Sequence, residues 1–225
     1  FAVLAMYLFG FIQLPHDSSI TNLSVGRTLL GTTVVIFVIY LIPGLWGAPL
    51  KMISGFPPPM QYSESPMGIG TKGINISNTE HVDGMHSGPQ GISVFHDLEK
   101  GLAYAKKIGK PAFLDFTGKA CVNCRRMEEG VWGEPGVFEI MSNEIVIISL
   151  YVDDKRELPK NEQEIVEVNG EMVEVTTIGK KWSIYQSSNY KTNTQPYYIM
   201  LGSDGEDLAN GSADYEHHGN VTDFK

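Results

Sequence analysis

The spacing of apolar and polar positions divides the chain into three stretches with different periods. The first, residues 1–54, is dominated by apolar residues, and Thr28 to Leu50 are 23 consecutive positions without Asp, Glu, Lys, Arg or His. As a helix rising about 1.5 Å per residue, that run is long enough for the roughly 30 Å apolar layer of a bilayer, and long for a core helix. The opening "FAVLAMYLFGFIQL" carries no initiating Met and no basic n-region, so it reads as the end of an earlier span rather than a signal peptide. The polar "PHDSSITNLSVGR" between the two suits a connection between membrane helices. The chain is therefore expected to be a fragment of a longer polytopic protein. Arg27 before the main run and Lys51 after it nearly cancel in a count of flanking charge, so charge gives no orientation.

The second stretch, residues 55–90, has no apolar period and is crowded with Pro, Gly, Ser and Asn; it reads as a tether, stiff at Pro57 to Pro59 and flexible beyond. His81 and His86 fall inside it, without neighbouring Cys and with few carboxylates to complete a metal site.

From residue 91 regular periods return. Phe95, Leu98, Leu102 and Ala105 fall on one helical face, with Ser93 placed to cap the start and Gly109 and Pro111 to stop it. "AFLDF", residues 112–116, reads as a buried strand interrupted only by Asp115, and "EIVIISLYVDD", residues 144–154, as a second central strand rich in β-branched residues. Asn169-Gly170 between two alternating runs predicts a hairpin arm over about 164–175, with Val168 opposite Glu171, Val166 opposite Val173, and Val166, Val168, Val173 and Val175 on one face. "QPYYIML", residues 195–201, is a third strand introduced by Pro196, and "GSDGE" turns into a following strand. Strands alternating with helices imply an α/β domain. The closing "GNVTDFK" reads as the start of a helix, so this end is also expected to be a truncation.

Composition changes this picture little. At 225 residues and 42% hydrophobic content there is ample material for a buried core. The net charge of −9 and the lack of a basic stripe argue against nucleic acid as a partner.

The candidate chemistry lies in "FLDFTGKACVNCRRME", which holds the two cysteines of the chain, Cys121 and Cys124. Two thiols do not make a four-sulfur zinc site, and His217-His218 are adjacent rather than at finger spacing. A purely structural disulfide closing so small a loop would remove little entropy from the unfolded chain. Redox chemistry suits the spacing better. A thiolate in the first turn of a helix is stabilised by unpaired N–H groups and the helix dipole, and a second cysteine one turn on can reach back to resolve a mixed disulfide. Cys121 is then the nucleophile and Cys124 the resolving thiol. Asp115, flanked by apolar residues, is expected to have a raised pKa and to exchange a proton with the resolving thiol. Glu128, one turn after Cys124, disfavours a thiolate; Arg125 and Arg126 act in the opposite sense if they are not merely solvated on an exposed helix face.

"FLDFTGKACVNC" with "TQPYYIML" far downstream resembles a thioredoxin-fold active site with its cis-proline loop. The resemblance implies a central mixed sheet with flanking helices, a buried carboxyl at Asp115, and a cis Pro196 that, with Gln195, shapes a groove where a partner's backbone pairs. A span ending in "IPGLWGAPLK", a Pro/Gly tether and then "CVNCRRME" is similar, over most of the chain, to the end of the bacterial thiol:disulfide interchange protein DsbD family. That likeness implies a protein-disulfide reductase in the bacterial inner membrane with its thioredoxin-like domain in the periplasm. It would receive electrons from a membrane domain of the same protein and pass them to oxidised periplasmic thioredoxin-like proteins. Asp115, Cys121, Cys124 and Glu128 fall on that domain's motif, and no cofactor is expected beyond the redox-active Cys121–Cys124 disulfide. Ala120 in place of the usual Trp, Val122-Asn123 in place of Gly-Pro, and the extra hairpin are departures that bear on reduction potential and partner surface. A disulfide oxidase or isomerase of the same fold, and a copper- or zinc-handling module, stand as alternatives.

Overall fold

The computed structural model describes residues 1–18, 22–46, 50–53, 82–168 and 170–224. Most of the segment read as a tether, including Pro57 to Pro59 and His81, lies outside the described residues, as does Asn169 of the hairpin turn. The described residues form two compact units, 1–50 in one and 51–53 with 82–224 in the other.

In the first unit, helix α1 (Ala2–Leu8) packs on helix α2 (Val25–Leu41) through Ala5, Leu8 and Val34. The Ser24 side chain accepts the Arg27 N–H and caps α2. The Arg27 guanidinium donates to the carbonyls of Tyr7 and Leu8 at 2.7 and 2.6 Å, which gives the open end of α1 the acceptor partners a helix end needs. α2 runs on as a 3-10 turn, Ile42–Trp46, where Pro43 and Gly44 tighten it. By length and composition, Val25–Leu45 fits a membrane span.

The second unit is built on a six-stranded mixed sheet of order β1-β2-β4-β3-β7-β8. Its strands are β1 (Met85–Ser87), β2 (Ser93–Phe95), β3 (Ala112–Thr117), β4 (Val146–Tyr151), β7 (Tyr197–Leu201) and β8 (Asp207–Asp214). β2, β4 and β3 run parallel, and β7 lies antiparallel to β3 with Phe116 opposite Tyr197. Every residue of β3 and β4 is buried, as the apolar, β-branched runs require of central strands. Side chains alternate between faces. Leu114, Phe116, Ile148 and Leu150 meet Ala105 of α3 (Leu98–Ile108) and Trp182 of α6 (Ile178–Tyr190). Phe113, Ile147 and Tyr198 meet Met127 of α4 (Val122–Gly130), Trp132, and Val137 and Met141 of α5 (Val137–Asn143). A two-stranded arm, β5 (Glu164–Val168) and β6 (Glu171–Val175), stands apart from the main sheet, with Val166 opposite Val173 and Val168 opposite Glu171. Short helices α7 (Tyr215–His218) and α8 (Val221–Phe224) follow β8.

Three local expectations are corrected. Ser93 and Phe95 belong to β2, and the cap of α3 is Asp97, whose carboxylate accepts the Lys100 N–H at 2.8 Å. The two apolar residues before the helix pair with β4 because strand hydrogen bonds are available there, although Phe95 still packs on the same core. The sheet also starts inside the segment read as a tether: β1 pairs antiparallel with β2, and His86 stacks on His96. Arg125, considered above as a residue of an exposed face, is buried.

The entry to α6 is the tightest backbone approach next to the cysteine loop. A Cβ on Gly179 would lie 2.6 Å from the Asp154 nitrogen and 2.7 Å from the Val152 carbonyl, and neither backbone atom can step aside like a side chain. Gly179→Ala is therefore expected to lower stability by about 1–3 kcal/mol in urea unfolding, whereas the same change at Gly130, with open space around it, should cost less than about 1 kcal/mol.

Candidate active site

The cysteines sit where a buried strand gives way to a helix. β3 ends at Thr117, the chain turns through Gly118, Lys119 and Ala120 with the Cys121 N–H donating to the Gly118 carbonyl, and α4 begins at Val122. Cys121 is the residue capping α4: its Sγ accepts the Cys124 N–H at 3.1 Å. Sγ of Cys121 and Sγ of Cys124 are joined in a disulfide, with Cα atoms 5.2 Å apart. The pair is asymmetric, since Cys121 is half-buried while Cys124 is 1% exposed.

Pro196 lies at the same end of the sheet. The register that sets Phe116 opposite Tyr197 carries Pro196 to the end of β3, where the loop to Cys121 departs, and the Gln195–Pro196 peptide bond is cis. Gln195 donates from Nε2 to the Asn193 carbonyl at 2.6 Å and to Gln186 Oε1 at 3.2 Å. Gln186 of α6 is fully buried and donates to the Thr194 carbonyl at 2.8 Å, so two amide side chains hold the segment leading into the proline.

Beneath α4 is a buried polar cluster. Asp115 shares the sheet face of Phe113, the face that α4 covers, and accepts the Ser149 hydroxyl at 2.8 Å from directly across the β3–β4 register. Arg125 is 4% exposed; it donates to the Glu128 carboxylate, to the Thr117 hydroxyl at 3.4 Å and to the Gly118 carbonyl at 3.2 Å. Arg126 instead lies at the surface, over the ring of Tyr215.

Residues 98–217, more than half of the chain, match the family model of the thioredoxin-like domain. The chain belongs to that family. Among solved structures it is similar to a DsbH oxidoreductase (15% identity, TM-score 0.38, 53% of this chain and 70% of that one). It is also similar to a thioredoxin from Thermus thermophilus (17%, 0.39, 58% and 80%) and a disulphide isomerase from Xylella fastidiosa Temecula1 (15%, 0.37, 66% and 87%). No curated protein sequence matches it. The chain thus has a thioredoxin-like fold, with its Cys-X-X-Cys pair at disulfide distance.

Within this thioredoxin-like domain the cluster's electrostatics follow from burial. Loss of solvent pushes Asp115 up to about 7, against the opposing pull of the Ser149 hydrogen bond and the Arg125 charge. Burial likewise pushes Glu128 up to about 8, with Arg125 pulling down and Asp115 pushing further up. The Arg125 guanidinium opposes both shifts, but for each acid the loss of solvent outweighs it. Tyr198, opposite Asp115 on β7, is raised well above its ordinary value, by burial first and then by both acids.

Ser149 and Gln186 are site residues that the sequence reading passed over. Ser149 is the single polar residue inside the apolar run "VIISLY", and that break, aligned with Asp115 on a neighbouring strand, is the signal that would have found it. Gln186 gives no signal, because a buried glutamine in a helix reads like any solvated one.

The acids set a pH dependence of stability. Their folded pKa values exceed the ordinary carboxyl range, so the folded state holds protons that the unfolded chain has released. The contribution is full below about pH 4 and is lost as pH rises towards about 7 for Asp115 and 8 for Glu128. Melting temperature is expected to fall between pH 5 and 8, and Asp115→Asn to flatten that slope; a slope unchanged in a folded Asp115→Asn protein would contradict the assignment.

Proposed function

We propose that the chain is a membrane-anchored thiol-disulfide oxidoreductase of the DsbD kind, passing two electrons from a membrane dithiol to oxidised periplasmic proteins of thioredoxin-like fold. In this reading residues 1–54 belong to the membrane part, 55–90 tether it, and 91–225 form the catalytic domain carrying the 164–175 arm, on the periplasmic side of a bacterial inner membrane. The observation that carries the reading is the asymmetry of the cysteine pair, with a partly exposed cysteine at the start of α4 and a buried one a turn further on.

The chemistry follows from that asymmetry. In the reduced protein the Cys124 N–H and the positive end of α4 stabilise a Cys121 thiolate. The thiolate attacks one sulfur of the partner disulfide; a Cys121–partner bond forms, the partner's S–S bond breaks, and its second sulfur leaves as a thiolate. The Cys124 thiol gives its proton to ionised Asp115, which the Ser149 hydroxyl holds in place. Cys124 then attacks Cys121 Sγ, restores the internal disulfide and expels the partner's remaining sulfur. The partner gains two electrons and the pair loses two, which a membrane dithiol returns by the same exchange. Gln195 and Pro196 offer the partner a backbone edge beside the sulfurs.

In cells carrying the Cys124→Ser protein, mixed disulfides are expected to accumulate on Cys121 and to vanish in a Cys121→Ser, Cys124→Ser double variant. Absence of any adduct, with Cys121 open to alkylation, would contradict the relay.

A further inference from the structure

The loop that presents Cys121 has its backbone polar groups satisfied from outside. Arg125 donates to the Gly118 carbonyl, while the Asp153 carboxylate takes the next two amides: Lys119 N–H to Oδ1 at 2.8 Å and Ala120 N–H to Oδ2 at 2.9 Å. Asp153 comes from the segment just beyond β4, and Gly118 is the residue that lets it approach. A Cβ on Gly118 would lie 3.1 Å from Asp153 Oδ2 and 3.2 Å from the Cys121 Cβ, so carboxylate and cysteine flank the same small space.

The neighbouring charges are already engaged. The Lys119 ammonium pairs with Asp154 at 3.0 Å, and Asp154, 1% exposed, is also held by Arg156 at 2.7 Å. Those hydrogen bonds outweigh the effect of burial and hold Asp154 down to about 2. On the α4 side, Arg125 faces Glu128 and Asp115. Asp153 is thus an anion turned directly on the loop of the nucleophile.

We infer that Asp153 is a positioning residue of the exchange site: its carboxylate clamps the Gly118–Ala120 loop in the shape that exposes Cys121, and its charge opposes the thiolate there. The inference rests on the reading of Cys121 as the nucleophile. The clamp occupies two amides that would otherwise be free to turn towards a sulfur anion. The charge makes the reduced state less comfortable, which drives the pair towards the disulfide and makes it a stronger reductant. It also gives Ala120 a place in the site, since what this position contributes is its main-chain N–H.

The test is the pH profile of Cys121 alkylation by iodoacetamide, followed by mass spectrometry on the full reduced chain in detergent. Asp153→Asn is expected to lower the apparent Cys121 pKa by about one unit, and Asp153→Glu, which keeps the charge, to restore it to within a few tenths. An unchanged pKa in a folded Asp153→Asn protein overturns the charge role. A second measurement needs no variant: in the wild-type chain the Lys119 and Ala120 amides are expected to exchange with solvent at least about tenfold more slowly than in an open loop, and exchange at the open-loop rate overturns the clamp. Alkylation requires no partner. A wild-type protein that exchanges with no disulfide therefore overturns the relay reading while leaving the Asp153 result legible.

Discussion

The buried Arg125 guanidinium is the interaction on which the site depends. Two carboxyls, Asp115 and Glu128, are sealed between α4 and the sheet, where an isolated carboxylate is costly to ionise. Arg125 supplies a compensating charge there, and through the Gly118 carbonyl it ties that charge to the loop before Cys121. Removing it would strand two acids and free the start of the loop together. The same guanidinium therefore partly offsets the burial of the acids and holds the start of the loop that leads to Cys121.

Around this centre the fold supplies rigidity from the sheet and adjustment from its ends. β3 and β4 are buried along their whole length and bring Asp115 and Ser149 side by side. Beyond them the chain turns outward, and the polar residues just past β4, Asp153 and Asp154, meet the residues just past β3, Gly118 to Ala120. The proline segment is held by the Gln186 side chain of α6, whose own entry is pressed against Asp154 at Gly179. Three loops at one end of the sheet are thus braced by elements whose positions the core fixes.

Much of this was legible in the sequence, and the parts that were not share a cause. β3, β4 and β7 are strong apolar runs bounded by turn residues, and the Cys-X-X-Cys spacing with Asp115 upstream announced both the thioredoxin-like fold and the pairing of the two sulfurs. β1 and β2 were missed because three-residue strands take their stability from neighbours rather than from a period of their own. Arg125 was misjudged because "CRRMEE" has no apolar stripe to mark its inner face: Cys124, Met127 and the Arg125–Glu128 pair together fill a face that reads as polar. Ser149, Asp153 and Gln186 act through pairings with residues dozens of positions away or through a fold-dependent loop, which local spacing does not carry.

In the proposed relay the two sulfurs differ in role because they differ in access. The most direct test is to reduce the protein, expose it briefly to iodoacetamide at pH 7, and measure the label on each cysteine separately. Cys121 is predicted to react at least about tenfold faster than Cys124, as its partly exposed place at a helix start requires. Equal rates, or faster labelling of Cys124, would contradict that division of roles.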